Sequence, residues 1–137
     1  CLDKDINTVM MVDEAHVLLS SHNELGAEFL AQIQRRSRKY NTGTIIITQQ
    51  PTDFAAPNII THGKAIFDNA SYYLVMGLRK QAVDDLSKLI DLNDNEKEAI
   101  KYYNQGEALF ICGNKRMKIQ VVITQEELDS FGSGGGY

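Results

Sequence analysis

Apolar and polar positions along the chain switch between two periods. Thr8–Val12 is a continuous apolar run of strand length, and residues 44–48 form a second, β-branched run of the kind buried on both faces of a parallel sheet. Between them Leu25, Phe29, Ile33 and Tyr40 recur close to a helical period, which predicts a helix over residues 23–40 with one buried stripe. Asn41-Thr42-Gly43 supplies its stop, because asparagine or glycine accepts the left-handed backbone that closes a helix. A polar segment from Gln49 to Ala56 then leads to Pro57, well placed in the first turn of a helix reaching about Asn69.

The pattern continues with a strand at 71–76, a break at Gly77 and a helix over about 79–90. Asn93-Asp94-Asn95-Glu96 has capping-box spacing for a helix through about Tyr103, ended by Gly106. Residues 108–112 and 117–124 read as a β-hairpin across Gly113-Asn114-Lys115, and Thr124-Gln125-Glu126-Glu127 caps a final helical turn. Strands alternating with helices predict an α/β fold: a mostly parallel sheet flanked by helices, with a C-terminal β-hairpin. One domain is expected over residues 1–128, followed by a flexible glycine-rich tail at 129–137.

Composition narrows the class. A chain of 137 residues, 43% hydrophobic and 23% charged, is ordinary for one globular domain and carries no apolar run long enough to span a bilayer. The net charge of −4 excludes a surface built for non-specific nucleic-acid binding, so any DNA contact would be local. Two cysteines give no disulfide framework; Cys112, inside an apolar stretch, reads as a small buried thiol. His16, His22 and His62 lack metal-ligand spacing, so no zinc is expected.

Chemistry concentrates where the first strand ends. Thr8-Val9-Met10-Met11-Val12-Asp13-Glu14 reads as a Walker B element, in which Asp13 holds magnesium directly or through water and Glu14 polarises the attacking water. The plain alternative is a solvated strand end whose carboxylates suit a helix start. Gln49 directly follows the second strand, where an amide can donate to a γ-phosphate and accept from water at once. Arg35 and Arg38 share one face at the end of the long helix, with Arg36 to the side. One of them is a candidate arginine finger, in its own subunit or across an interface; cations there also simply complement the helix dipole. Thr52-Asp53-Phe54 is a weaker candidate for passing the nucleotide state to a neighbouring surface. No G-x-x-x-x-G-K-[ST] phosphate loop occurs in these residues. The chain therefore reads as the second half of an ATPase core, inactive alone.

Four motifs in order carry a resemblance. Val12-Asp13-Glu14-Ala15-His16-Val17-Leu18-Leu19, Arg35-x-x-Arg38-Lys39-Tyr40-Asn41-x-Gly43, Ile47-Thr48-Gln49-Gln50-Pro51-x-Asp53-Phe54 and Gly106-Glu107-Ala108-Leu109-Phe110 together resemble the energising ATPases of type IV secretion and conjugation, the VirB-four or TraC/TrbE-like class. The resemblance implies a partial RecA-like P-loop core related to the HerA and FtsK pumps. It implies ATP and Mg2+ as cofactors, and catalytic roles for Glu14, Gln49 and Arg35 or Arg38. A homo-hexamer is implied too, at the inner face of the cytoplasmic membrane, in contact with secretion-channel proteins and with transferred DNA or protein. A DEAH-type helicase shares Asp13-Glu14-Ala15-His16, but its Ser-Ala-Thr motif is replaced here by Thr48-Gln49-Gln50. A DNA-pumping coupling protein and a non-catalytic scaffold of the same shape are the other readings.

Overall fold

Two short parallel strands carry the first half of the chain. The computed structural model describes residues 6–19 and 23–131. β1 (Thr8–Val12) pairs in parallel with β2 (Thr42–Ile46), Thr8 opposite Thr42 and Val12 opposite Ile46. The crossover between them is α1 (Glu24–Arg36), entered through an Asn23 side-chain cap on the Gly26 N–H and continued by a 3-10 turn, Ser37–Tyr40. Asn41, at φ 48°, takes the left-handed position that stops it, while Gly43 lies inside β2. Gln34 on α1 accepts a hydrogen bond from the Thr44 hydroxyl and ties the crossover to the strand.

The buried face of α1 is not the expected one. Ala27, Leu30 and Ala31 are buried, whereas Leu25 and Phe29 are 78% and 60% exposed. The helix is apolar on two sides, and the small side chains of Ala27 and Ala31 let it approach α3 (Ile60–Asp68). Pro51, not Pro57, starts a helix: the segment expected to be loop contains α2 (Pro51–Phe54), with buried Pro51 in its first turn, where a missing N–H costs nothing. A Cβ on Gly63 would collide with the Phe54 carbonyl, so glycine is what lets α3 cross the end of α2.

The second half is antiparallel. β3 (Tyr72–Met76), β4 (Glu107–Cys112) and β5 (Lys115–Gln120) form a sheet in that order, so parallel pairing is confined to β1 and β2 among the described residues. After β3 come α4 (Lys80–Leu86) and α5 (Asp94–Lys101). The capping box of α5 is complete, with Asn93 and Glu96 each accepting from the other's backbone N–H. The β4–β5 turn is Gly113-Asn114, with Gly113 at φ 54°. α6 (Gln125–Phe131) starts on a second box between Thr124 and Glu127, so the expected tail is helical as far as Phe131.

Two apolar cores meet at one ring. Ala15, Leu30, Phe54, Ile59 and Ile66 fill the first core, beneath Val12 and Ile46. Val75, Val83, Ile100, Leu109 and Ile111 fill the second. Phe67 packs against both: its ring meets Phe54 edge-on at 5.4 Å and stacks on Tyr73 at 6.0 Å. The Tyr73 hydroxyl donates to the Phe67 carbonyl at 2.6 Å, and burial, then the Asp68 charge, raises its pKa. The opposite faces of both sheets are bare. Val9, Met11, Ile45 and Ile47 on one, and Tyr72, Leu74, Met76 and Met117 on the other, are exposed, so β2 is not buried on both faces as its sequence predicts, and β1 shares its bare side. Cys112 is a free thiol on that second bare face, half-buried beside Tyr72 in the register.

Asp85 is the one buried carboxylate among the described residues. Lys88 Nζ donates to it at 2.5 Å and Gln81 at 3.3 Å. The Lys88 hydrogen bond is the main reason its carboxyl stays below the ordinary value of 3.8. As pH falls, the unfolded chain takes up this proton before the folded one. The contribution is therefore present above 3.8 and is lost as pH drops through the lowered folded value. Asp85→Asn is expected to lower stability by about 1.5 kcal/mol at neutral pH, with the gap from the parent sequence closing below pH ~3.8, measured by urea unfolding across pH.

Candidate functional site

Backbone pairing runs past the last paired residue of each strand and places two side chains together. The Ile47 N–H donates to the Val12 carbonyl and the Ala15 N–H to the Ile47 carbonyl, both at 2.9 Å. Asp13 and Glu14 thus sit on a turn clamped against the end of β2. Beyond them a 3-10 turn, Ala15–Val17, is anchored by Ala15 and Leu19, both fully buried.

Glu14 is held in an unusual backbone state. Its φ of 50° and ψ of 44° are left-handed, a region that costs a non-glycine residue about 1–2 kcal/mol. Hydrogen bonds on both sides enforce it: the Glu14 N–H donates to Asp13 Oδ1 at 2.8 Å, and the Val17 N–H donates to the Glu14 carbonyl at 2.9 Å. Strain of this kind recurs where a side chain must point in a set direction. Here it presents the carboxylate to Gln49, whose Nε2 donates to Glu14 Oε1 at 2.6 Å. On the other side, His16 Nδ1 lies 3.1 Å from Glu14 Oε2.

Gln49 opens onto a cleft of about 740 Å3. Gln50, Thr52, Gly77 and Arg79 also line it. A Cβ on Gly77 would come within 2.8 Å of the Tyr103 carbonyl, so glycine lets the chain after β3 lie close to the end of α5 and carry Arg79 to the cleft. Arg79 is the cation that sequence reasoning missed. Nothing in its local pattern sets it apart from other helix-start arginines, and only the crossing of the two halves brings it near Gln49.

The arginines chosen from sequence stand apart. Arg35 lines a different groove, of about 490 Å3, with Thr61, Lys64, Asp68 and Lys88. The Arg38 side chain and His22 lie outside the described residues. Of the Thr52-Asp53-Phe54 triplet, Phe54 is core, and Thr52 lines the cleft.

A magnesium ion fits the donor set. Asp13 is exposed at the strand end, and the backbone contact to Oδ1 leaves Oδ2 open among the described residues. Magnesium commonly takes one or two carboxylates, completing its shell with water and phosphate oxygens. Among the described residues no group of three or more His, Cys, Asp or Glu side chains gathers as an all-protein metal cage.

A family model described as the TraG P-loop domain matches residues 2–128. The structure resembles VirB4 of Thermoanaerobacter pseudethanolicus with a TM-score of 0.85 at 31% identity, over 92% of this chain and 34% of that one. An uncharacterized protein of Bacillus anthracis is 21% identical over 133 residues, which are 92% of this chain and 21% of the relative. The chain thus spans about a third or less of each. Glu14→Gly is expected to leave the fold as stable as before, or more stable by up to ~1 kcal/mol through release of backbone strain, as measured by urea unfolding.

Proposed function

Because the chain belongs to the TraG P-loop domain family, we propose that it is the part of a type IV secretion or conjugation ATPase that carries the water-activating carboxylate. The observation that carries this reading is the 2.6 Å hydrogen bond from Gln49 to Glu14, which couples the end of β2 to the carboxylate after β1. Asp13 would hold Mg2+, directly or through water. When bound to ATP, the ion neutralises phosphate charge and fixes the geometry of transfer.

Glu14 is the general base in this reading. Its Oε1 accepts from Gln49, and a carboxylate with further lone pairs can still take a proton from water. Gln49, with its amide between Glu14 and the cleft, senses whether a γ-phosphate is present. Arg79, on the same cleft, supplies positive charge to the phosphates from within the subunit. Arg35 faces a separate groove, which favours a role across a subunit interface, with Arg38 as the alternative finger. No phosphate loop occurs in these residues, so the 137-residue chain alone is expected to show no Mg-ATP hydrolysis.

Around this centre we place a homo-hexamer at the inner face of the cytoplasmic membrane, powering channel assembly or the passage of DNA or protein. No helix among the described residues is long and apolar enough to cross a membrane. A related coupling protein or HerA/FtsK-type translocase would use the same residues. Strand translocation on duplex DNA separates those readings from this one. A scaffold without chemistry is disfavoured by the Glu14–Gln49 contact.

Two experiments test the assignment in the longer protein. Glu14→Gln is expected to cut ATP turnover by roughly 100-fold or more while ATP binding persists; undiminished turnover would remove Glu14 as the base. Arg35→Ala is expected to abolish turnover in homo-oligomers, and mixing with Glu14→Gln subunits to restore part of it. Absence of restoration would place the arginine in its own subunit's site.

A further inference from the structure

We infer that His16 is a positioning residue for Glu14, holding the second carboxylate oxygen while Gln49 holds the first. The inference rests on the ATPase reading above and adds a residue that neither the family match nor the motif assigns. It starts from an orphan pair. Glu14 Oε2 and His16 Nδ1 are both sealed from solvent, and neither has a hydrogen-bond partner among the described residues, although they lie 3.1 Å apart. The separation is that of an ion pair or hydrogen bond, while the alignment falls short of one. A small rotation of the ring or carboxylate closes it, and a buried polar atom left unmatched costs about 1–3 kcal/mol.

The surroundings leave little choice of partner. His16 is the middle residue of the 3-10 turn whose neighbours Ala15 and Leu19 are fully buried, and its carbonyl accepts from the Leu19 N–H at 3.1 Å. The turn thus fixes the backbone from which the His16 ring reaches Glu14. Glu14, in the left-handed region, directs its Cα–Cβ bond toward the end of β2, where Gln49 takes one carboxylate oxygen. With Oε1 bonded to Gln49, Oε2 meets the imidazole edge, and Nδ1 carrying its hydrogen donates to it. Two donors from opposite sides fix the plane of the carboxylate. That plane sets which lone pair faces the attacking water, and misplacing it costs rate without costing ATP affinity.

The geometry of the donor separates this role from packing. In a side chain at position 16, the asparagine amide nitrogen falls where His16 Nδ1 lies, whereas glutamine reaches the position of Nε2. In the longer protein, His16→Ala and His16→Gln are expected to lower kcat roughly tenfold with KM for ATP nearly unchanged, and His16→Asn to restore most of the loss. Equal kcat for the asparagine and glutamine variants, or an alanine variant that turns over like the parent sequence, would overturn the inference. Glu14→Gln, run alongside, reports on the ATPase reading separately: full turnover in that variant sinks the reading itself.

A second measurement needs no turnover. In long-range 1H–15N spectra of the 137-residue chain, His16 is expected mainly as the Nδ1–H tautomer and should revert toward Nε2–H in Glu14→Ala, with His62 unchanged as the internal reference. A His16 tautomer indifferent to Glu14 would overturn the contact, whatever the ATPase assay gives.

Discussion

The parallel pairing of β1 and β2 is the constraint on which the rest of this structure depends. Two backbone hydrogen bonds beyond the ladder, at Ile47 and Ala15, bind the residues after one strand to the end of the other. They hold Asp13 and Glu14 at one edge and bring Gln49 alongside, so a one-residue slip would both bury the wrong faces and separate the amide from the carboxylate. The crossover needed to make the strands parallel is α1, whose packing on α3 builds the first core. Site and core thus arise from one topological choice.

Much of this was legible in the sequence wherever a local rule has one solution. Asn93 with Glu96 and Thr124 with Glu127 cap helices by chemistry that works within three residues, and Asn41 stops a helix for its own backbone reasons. The same holds for the candidate site, since a strand end followed by Asp13 and Glu14, and a second followed by Gln49, predict their own neighbourhood once the strands are paired. What could not be read depends on objects far away in sequence. Periodicity marks α1 as amphipathic, yet cannot tell the Leu25/Phe29 face from the Ala27/Leu30/Ala31 face, because both are apolar and only the position of α3 decides. Pro51 and Pro57 carry equal local signals for a helix start, and Phe54 in the core settles the matter for Pro51. Arg79 reaches the cleft through the junction of two halves, which no window of sequence contains.

The bare sheet faces have the same origin. Val9, Met11, Ile45 and Ile47 have the composition of strands covered on both sides, and the chain covers one side. Hydrophobic pattern records the surroundings for which a strand is suited, so it predicts burial against whatever the complete domain provides. The chain spans 34% of the VirB4 structure it resembles. The site reads in the same way: the carboxylate, amide and cations are present, and the groups that grip phosphate are not among these residues.

Phe67 gives the molecule a mechanical property. Its ring belongs to both cores, edge-on to Phe54 beneath the carboxylate-bearing sheet and stacked on Tyr73 in the antiparallel one, and the Tyr73 hydroxyl is fastened to the carbonyl of Phe67 itself. A tilt of the hairpin layer would therefore have to move this ring, which the two layers share. Load applied at the β4–β5 turn would travel as a rigid-body push through one phenyl ring to Phe54, and from α2 to Gln50 and Gln49, where the amide meets the carboxylate. The hairpin layer and the candidate site are thus joined through a train of three aromatic rings.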